Sequence, residues 1–232
     1  MIYITGDTHR DFENIAEFCY SHNTTVDDVI IILGDVGLNY YLDGSDNKVK
    51  KKVSKLPITL FCIRGNHEER AENINTYTST TFFGGECLVE KQYPNIIFAK
   101  DGEVYNINNK KCIVIGGAYS IDKHWRLMRG WSWFESEQLT PEEMNHIENV
   151  LNIEYSNKID IVLSHTCPYN IRPTHLFIKG LDQSTVDNTM EEWMQKVADN
   201  ISFDKWYFGH FHGEWVNGKY EMLYKTIKEF GK

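Results

Sequence analysis

Apolar residues form two different patterns in the first part of the chain: continuous runs and single residues at helical spacing. Residues 29–33 form a continuous run of aliphatic, mostly β-branched side chains, which is typical of a strand buried on both faces. Phe12, Ile15 and Cys19 recur at helical spacing, and a lysine-rich segment over 46–55 is also predicted to be helical. With further apolar runs at 2–5 and 58–63, the pattern predicts three strands that alternate with two helices.

The pattern changes to short runs and turns between residues 78 and 120. We expect an antiparallel or mixed sheet there, with a hairpin turn at 108–110. Thr140 and Pro141 then predict the start of a helix that continues to about residue 156. Residues 166–184 are predicted to be a long loop, followed by a helix over 186–198. Further strands are predicted at 86–89, 96–99, 104–107, 112–115, 159–163, 206–208 and 220–224.

Composition places the chain among ordinary globular proteins. Its 232 residues are 41% hydrophobic and 25% charged, and its formal net charge is -9. The five cysteines are scattered and odd in number, which favours reduced, buried thiols, with Cys167 as the one in a loop. No apolar run reaches the roughly 18 residues of a membrane span. We therefore expect one cytoplasmic domain over residues 1–232 with no membrane partner.

Residues able to bind a metal follow five predicted strands, and at four of these strand ends a glycine comes directly before them. The carboxyl ends of strands in an α/β sheet converge on one edge, so these side chains would face a common space. One histidine alone is more often a core or capping residue, but the recurrence favours a metal site. If the backbone is extended, the two residues in each of the pairs 7/9 and 210/212 point to the same side. The candidate ligands are Asp7, His9, Asp35, Asn66, His165, His210 and His212.

These blocks resemble, in order, the signature of the calcineurin-like metallophosphoesterase superfamily, which includes the serine/threonine phosphoprotein phosphatases. They span residues 6–212, nearly the whole chain. The resemblance implies an α/β (α+β) fold, a four-layer αββα sandwich of mixed sheets flanked by helices. The blocks read Gly6-Asp7-Thr8-His9, Gly34-Asp35, Gly65-Asn66-His67-Glu68, Ser164-His165 and Gly209-His210-Phe211-His212.

The same resemblance implies a binuclear centre of two divalent metal ions. It assigns Asp7, His9 and His212 to one ion, Asn66, His165 and His210 to the other, and Asp35 to both. It also implies hydrolysis of phosphate mono- or diesters by attack of a metal-bridging hydroxide, with His67 as general acid. Nitrogen and oxygen donors suit Mn, Fe, Zn or Co, of which we favour Mn.

The block around Asp35 departs from that of the phosphoprotein phosphatases. Leu38 and Asn39 stand where those enzymes have an Asp that orients the acid histidine and an Arg that binds phosphate. Glu68 or Asp122 is the candidate for orienting His67 instead.

The missing phosphate-binding arginine has other candidates, each of which could equally be a solvated surface residue. They are Arg10, Arg126, Arg129 and Arg172. Arg64 matches an arginine of the phosphatases, and we expect it to position its loop by pairing with an acid.

Residues 118–133 form a predicted loop rich in aromatic and cationic side chains. Together with Gly116 and Gly117, this segment resembles a phage- or prophage-associated subset of these enzymes. Its aromatic residues could form a substrate wall or a second hydrophobic cluster. We hypothesise that Trp125, Trp131 or Trp133 forms an apolar wall for a nucleobase or an aryl leaving group.

Three substrate types are consistent with this reading: a phosphorylated small molecule, a nucleotide or a phosphopeptide. The net charge argues against duplex nucleic acid, although a nuclease for short single strands is an open alternative. A non-catalytic scaffold that binds a protein is the other alternative, which the retention of every ligand and of His67 disfavours. The sequence leaves the natural substrate, the metal and the oligomeric state open.

Overall fold

The computed structural model describes residues 1–177, 180 and 183–232. The strands are β1 (Ile2–Thr5), β2 (Val29–Ile32), β3 (Thr59–Cys62), β4 (Tyr77–Phe82), β5 (Gly85–Glu90), β6 (Ile96–Ala99), β7 (Val104–Ile107), β8 (Lys110–Ile115), β9 (Ile161–Ser164), β10 (Lys205–Phe208), β11 (Trp215–Asn217), β12 (Tyr220–Met222) and β13 (Lys228–Glu229). The α-helices are α1 (Glu13–His22), α2 (Gly44–Val53), α3 (Lys123–Arg129), α4 (Pro141–Asn149) and α5 (Thr189–Asn200).

The strands form two mixed sheets. The first has the order β13-β1-β2-β3-β6-β5-β4, and its four central strands β1, β2, β3 and β6 are parallel. The second has the order β11-β12-β10-β9-β8-β7, with β12, β10, β9 and β8 parallel. Both sheets end in antiparallel strands at their edges.

Hydrophobic packing arranges these sheets and helices in four layers. One core cluster lies between the sheets and joins Ile31 and Phe61 of the first to Val114 and Leu163 of the second. A second cluster packs α1 and α2 on the outer face of the first sheet, and a third packs α4 and α5 on the outer face of the second. Strand β2 is buried at every position because it is covered on both faces. The fold is the expected αββα sandwich.

Most predicted elements are present with shifted ends. Thr140 caps α4 through a capping box with Glu143. This helix ends at Asn149 and is followed by a π-helical turn at Val150–Glu154, so the prediction to about residue 156 was too long for regular α-helix. Helices α2 and α5 differ from the predictions 46–55 and 186–198 by two or three residues at each end. The predicted turn at 108–110 joins β7 to β8, with Asn108 and Asn109 at positive φ.

Three strands and one helix were missed. Strand β4 reads YTSTTF and is half-exposed at the sheet edge, so its polar residues hide it in a hydrophobicity pattern. Strands β11 and β13 are only three and two residues long. The predicted loop 118–133 contains α3, and the predicted loop 166–184 contains the short 3₁₀ helices Tyr169–Ile171 and Thr174–Leu176. Residues 178, 179, 181 and 182 of that loop lie outside the described residues.

The described residues include no helix with the length and apolar character needed to cross a membrane. All five cysteines are buried and unpaired, as the sequence indicated. Cys167 lies in the core cluster beneath α5 and takes no part in the candidate metal groups found among the described residues.

Candidate metal centre

The loops that follow β1, β2, β3, β9 and β10 meet at one end of the two sheets. The first three strands belong to one sheet and the last two to the other, so the site spans the carboxyl ends of both. Asp7 and Asp35 lie at its centre and are only 2% and 1% exposed. Two candidate metal-binding groups share Asp7: Asp7, His9 and His212, and Asp7, Asp35 and His165.

The first group is compact. The Nε2 atom of His212 lies 3.3 Å from Oδ2 of Asp7, and Nε2 of His9 lies 3.7 Å from the same oxygen. The two histidine Nε2 atoms are 2.8 Å apart. Three potential donor atoms therefore surround a space at the open side of the site, where His212 is the most exposed of the three.

The second group lies deeper. The Nε2 atom of His165 is 2.9 Å from Oδ1 of Asn66 and 3.5 Å from Oδ1 of Asp35. His210 packs edge-on against His165, with ring centres 5.0 Å apart. Asp35 also lies 3.7 Å from His9 of the first group, so its carboxylate, like the shared carboxylate of Asp7, lies near histidines of both groups.

The backbone of the ligand-bearing loops is left-handed, not extended. His9, Asp35, His210 and His212 all have positive φ values, between 45° and 66°. The condition of an extended backbone, under which the residues of the pairs 7/9 and 210/212 would point to the same side, is therefore not met. Non-glycine residues rarely adopt this conformation, and such residues concentrate at functional sites where the surroundings hold them.

Backbone amides at these loops bind the central carboxylates. The N–H of His210 donates to Oδ1 of Asp7, and the N–H of His67 donates to Oδ1 of Asp35. Each bond joins the loop after one strand to the loop after another. The ligands are thus positioned by each other's backbone as well as by the sheet.

The glycines before Asp35, Asn66 and His210 are explained by the close approach of another candidate ligand, whereas Gly6 before Asp7 approaches the backbone of Leu223. A Cβ atom on Gly34 would lie 2.0 Å from Nδ1 of His165, and one on Gly65 would lie 2.0 Å from Oδ1 of Asp35. A Cβ on Gly209 would lie 2.2 Å from Oδ1 of Asp7. These glycines recur in the sequence because each leaves room for a ligand carried by a different loop.

The charges of the site suit bound cations. Within the described residues, the ion-pair partners of Asp7 and Asp35 are histidines only, without lysine or arginine. Oδ2 of Asp7 is buried and accepts no hydrogen bond from the described chain. Buried carboxylates are costly unless a cation or donors compensate them. An Asp, His and Asn donor set therefore fits divalent metal ions here.

The pKa values of the site follow from burial and from the two carboxylates. Burial opposes ionisation of Asp35, but His165, His67 and His9 outweigh it and hold the pKa of Asp35 well below its ordinary value. Burial lowers the pKa of His9 and, together with His165, that of His210. Neutral imidazoles carry the lone pair that a metal needs.

His165 differs from the other histidines of the site. Burial lowers its pKa, but Asp35 and Asp7 outweigh burial and raise the pKa to about 9. Its Nδ1 atom lies 2.7 Å from the carbonyl oxygen of Leu33, which fixes the ring. The carboxylates that hold a proton on His165 are those that a metal cation would neutralise in its place.

His67 lies beside the carboxylate group and faces outward. Its Nε2 atom is 3.8 Å from Oδ2 of Asp35 and 3.5 Å from the Arg126 guanidinium. Burial lowers the pKa of His67, and Arg126 lowers it further against the opposing effect of Asp35. Its Nδ1 atom is buried and has no hydrogen-bond partner among the described residues.

The two acids suggested as partners of His67 have other roles. Glu68 accepts hydrogen bonds from the backbone N–H groups of Val36, Gly37 and Gly65, so it joins the loops after β2 and β3. Burial and Asp35 raise the pKa of Glu68 to about 7. Asp122 accepts from Nε of Arg126 and so reaches His67 through that arginine.

Of the four candidate arginines, Arg126 is the one in contact with His67. Arg10 pairs with Asp46 and donates to the carbonyl oxygen of Gly37. Arg129 lies against two tryptophans of its own segment, and Arg172 stacks on Tyr169. Arg126 reaches the site because Asp122 and the hydroxyl of Tyr40 hold its guanidinium.

Positions 38 and 39 face the core. Leu38 is fully buried, and Oδ1 of Asn39 accepts a hydrogen bond from the Tyr77 hydroxyl. Arg64 pairs with Asp101 as expected and also donates to the carbonyl oxygens of Gly116, Ser136 and Glu137. It thereby fastens the segment that carries α3 to the loop that carries His67.

Two residues that support ligands were missed by the sequence reasoning. The Ser120 hydroxyl accepts a hydrogen bond from Nδ2 of Asn66 at 2.8 Å, which turns the amide oxygen of Asn66 toward His165. The ring of Tyr224 stacks on His212 with centres 4.8 Å apart. Neither residue lies in a metal-binding motif, so only the three-dimensional contacts reveal them.

The chain belongs to the calcineurin-like phosphoesterase family, whose model matches residues 1–214. This is a family of metal-dependent phosphoesterases, typically with two metal ions, and the site described above lies within the match. A search of curated proteins found no match to this sequence.

Solved structures of similar fold share little sequence with this chain. One is the protein TT1561 of Thermus thermophilus, which is 12% identical with a TM-score of 0.52 over 96% of this chain and 87% of that one. Another is a phosphopantetheinyl hydrolase from Mycobacterium tuberculosis, which is 13% identical with a TM-score of 0.42 over 96% of this chain and 89% of that one. At these identities the likeness concerns the fold alone.

Proposed function

We propose that this protein is a binuclear metal-dependent phosphoesterase that hydrolyses phosphate mono- or diesters, with His67 as general acid. The observation that carries the proposal is the pair of buried carboxylates, Asp7 and Asp35, which are surrounded by histidine and asparagine side chains and lack a lysine or arginine partner in the described chain. The five cysteines are free thiols, which fits a cytoplasmic location.

Each metal would have its own ligands and share one carboxylate. Asp7, His9 and His212 would hold one ion, Asn66, His165 and His210 the other, and Asp35 would bridge them. When bound, two such ions supply Lewis acidity toward phosphate oxygens and lower the pKa of water. The donor set is compatible with Mn, Fe, Zn or Co, and we favour Mn.

His67 is positioned to protonate the leaving oxygen of the ester. Its backbone is fixed by the bond to Asp35, and its ring is partly open to solvent beside that carboxylate. Burial and Arg126 lower its pKa, against the opposing effect of Asp35, which makes protonated His67 a stronger acid but reduces the protonated fraction at neutral pH.

Arg126 would bind a phosphate oxygen next to His67. Its Nε and one terminal nitrogen are engaged by Asp122, Tyr40 and the carbonyl oxygen of Ser132, which leaves the other terminal nitrogen facing His67. The guanidinium is therefore rigid and presents a donor at the site. Arg10, Arg129 and Arg172 have no contact of this kind in the described structure.

The test is turnover by metal-stripped protein with and without added Mn²⁺. The substrates are p-nitrophenyl phosphate, bis-p-nitrophenyl phosphate and an alkyl phosphate. We expect Mn²⁺ to restore turnover of at least one ester. His67→Ala should slow the alkyl ester about 10²-fold or more, and the p-nitrophenyl esters less, because p-nitrophenolate leaves without a proton. His22→Ala, an exposed histidine of α1, is the matched control.

Two outcomes would overturn the proposal. If Mn²⁺ stimulates no turnover of any ester, the chain is better described as a scaffold of this fold. If His67→Ala slows the alkyl and p-nitrophenyl esters equally, His67 is not the acid. A short single-stranded oligonucleotide added to the same assay tests the nuclease alternative. Its cleavage in preference to the small esters would identify a nuclease.

A further inference from the structure

Helix α3 displays its large apolar side chains to solvent. Trp125 is 56% exposed, Trp131 just after the helix is 51% exposed, and Leu127 and Met128 are exposed as well. No residue of this seven-residue helix is buried. Most helices in proteins owe their stability to a buried apolar face. The apolar residues of α3 therefore do not serve the core, and an exposed patch of this kind marks a binding surface.

The helix is held against the candidate metal centre. Arg126 joins it to His67, and Asp122 and Tyr40 hold Arg126 in place. Arg129 follows Arg126 by three residues, so it lies on the same side of the helix about 4.5 Å further along the axis. One substrate could therefore contact the surroundings of Arg129 while its phosphate is bound at His67.

Two exposed indoles flank Arg129. Its guanidinium carbon lies 5.6 Å from the ring centre of Trp125 and 5.1 Å from that of Trp131. We call Trp125, Arg129 and Trp131 the α3 platform. Trp133 is not part of it, because this ring is half-buried with the Lys123 ammonium 4.0 Å from its centre. The structure thus narrows the aromatic wall suggested by the sequence to two tryptophans.

The local charge is opposite to that of the whole chain. Helix α3 carries Lys123, Arg126 and Arg129, with Asp122 at its start and Glu137 close enough to interact with Lys123, while the chain as a whole has a formal charge of -9. The platform therefore combines flat aromatic surfaces with positive charge next to a phosphate site. Nucleobases stack on such surfaces, and the attached phosphate supplies the negative charge.

We propose that the substrate is a nucleotide ester whose base stacks on the α3 platform while its phosphate lies beside His67 and Arg126. This inference rests on the proposed phosphoesterase function and adds the substrate class. A phosphopeptide would offer the phosphate without the flat ring. A second copy of the chain would cover the apolar residues without using the phosphate site.

The test compares two diesters that release the same p-nitrophenol: the p-nitrophenyl ester of thymidine 5′-monophosphate and methyl p-nitrophenyl phosphate. We expect the Mn²⁺-loaded protein to prefer the thymidine ester in kcat/KM. Trp125→Ala and Trp131→Ala should each lower this preference about tenfold, mainly through KM, because stacking of one base contributes a factor of this order. Tyr20→Ala, which removes an 88% exposed aromatic ring from α1, should leave the preference unchanged.

A preference that is the same in wild type and in both tryptophan variants would overturn the inference while the phosphoesterase function stands. So would sedimentation showing a dimer that Trp125→Ala dissociates. If neither diester is hydrolysed, turnover of p-nitrophenyl phosphate decides about the phosphoesterase function, and a calorimetric titration with thymidine 5′-monophosphate decides about the platform. A Kd raised about tenfold by Trp125→Ala supports nucleotide binding, and an unchanged Kd contradicts it.

Discussion

Glu68 joins two ligand-bearing loops, and replacing it with glutamine isolates that role. Oε1 accepts the N–H groups of Val36 and Gly65, and Oε2 accepts the N–H of Gly37, each at 3.1 Å. A glutamine keeps one oxygen and can retain two of these bonds. Its amide NH₂ would face the third N–H, which leaves a buried donor without an acceptor.

The expected loss of stability follows from the one hydrogen bond that Glu68→Gln removes. One buried N–H without a partner costs about 1–3 kcal/mol, so at a pH above the Glu68 pKa of about 7, where the carboxylate is ionised, Glu68→Gln should lower the free energy of unfolding by that amount. The two loops carry Asp35 and Asn66, which adjoin Val36 and Gly65 in the sequence. Changing a group that orients metal ligands lowers metal affinity about 10–100-fold, and we expect Glu68→Gln to weaken Mn²⁺ binding within this range.

Urea unfolding and a competition titration with a metal indicator measure the two effects. Glu17→Gln, an exposed glutamate of α1, is the matched control for the change of charge. If Glu68→Gln matched the control in both the unfolding midpoint and the Mn²⁺ affinity, the three backbone bonds would not hold the site as described.

Three further substitutions probe other contacts. Ser120→Ala removes the acceptor of the Asn66 amide, and we expect weaker binding at one of two Mn²⁺ sites with little change in unfolding, measured by calorimetric titration. Gly34→Ala places a Cβ 2.0 Å from the His165 ring, so we expect loss of metal-stimulated turnover even where circular dichroism shows a folded protein. Glu221 bonds to Lys205 and Lys228, and Glu221→Gln should lower the free energy of unfolding at pH 7 by about 1–3 kcal/mol. Burial opposes ionisation of Glu221, but both lysines outweigh burial and lower the pKa of Glu221. The difference in the free energy of unfolding between wild type and Glu221→Gln should therefore be full above pH 4.5, the ordinary pKa of a glutamate, and should vanish as the pH falls through the lowered pKa of the folded state. A difference that grew toward acid pH would contradict this assignment.

The sequence indicates where the candidate ligands meet because a predicted strand end and a glycine coincide at four of the five loops that carry them. The apolar composition of residues 29–33 predicts a buried strand, and Gly34-Asp35 indicates where that strand ends. The glycines carry spatial information as well, since Gly65 and Gly209 make room for ligands on other loops. A pattern in one dimension can therefore reveal residues that meet only in the fold.

The parts that the sequence did not predict depend on tertiary contacts. Strand β4 is stabilised by pairing with β5, and its polar residues give no apolar signal. The left-handed backbone of His9 and His212 is imposed by neighbouring loops, so no local preference predicts it. Ser120 reaches Asn66 from a distant segment, and nothing in its own neighbourhood distinguishes it from a surface residue. Arg126 was one of four candidate arginines, and only its contact with His67 separates it from the other three.

The central claim is that these loops form a two-metal centre that acts on phosphate esters. The most direct measurement is the Mn²⁺ content of the reconstituted protein against its turnover of bis-p-nitrophenyl phosphate and p-nitrophenyl phosphate, for wild type and Asp35→Asn. We expect two Mn²⁺ per chain at full activity, and loss of both metal and turnover in Asp35→Asn. Turnover that survives metal stripping, or full activity in Asp35→Asn, would contradict the central claim.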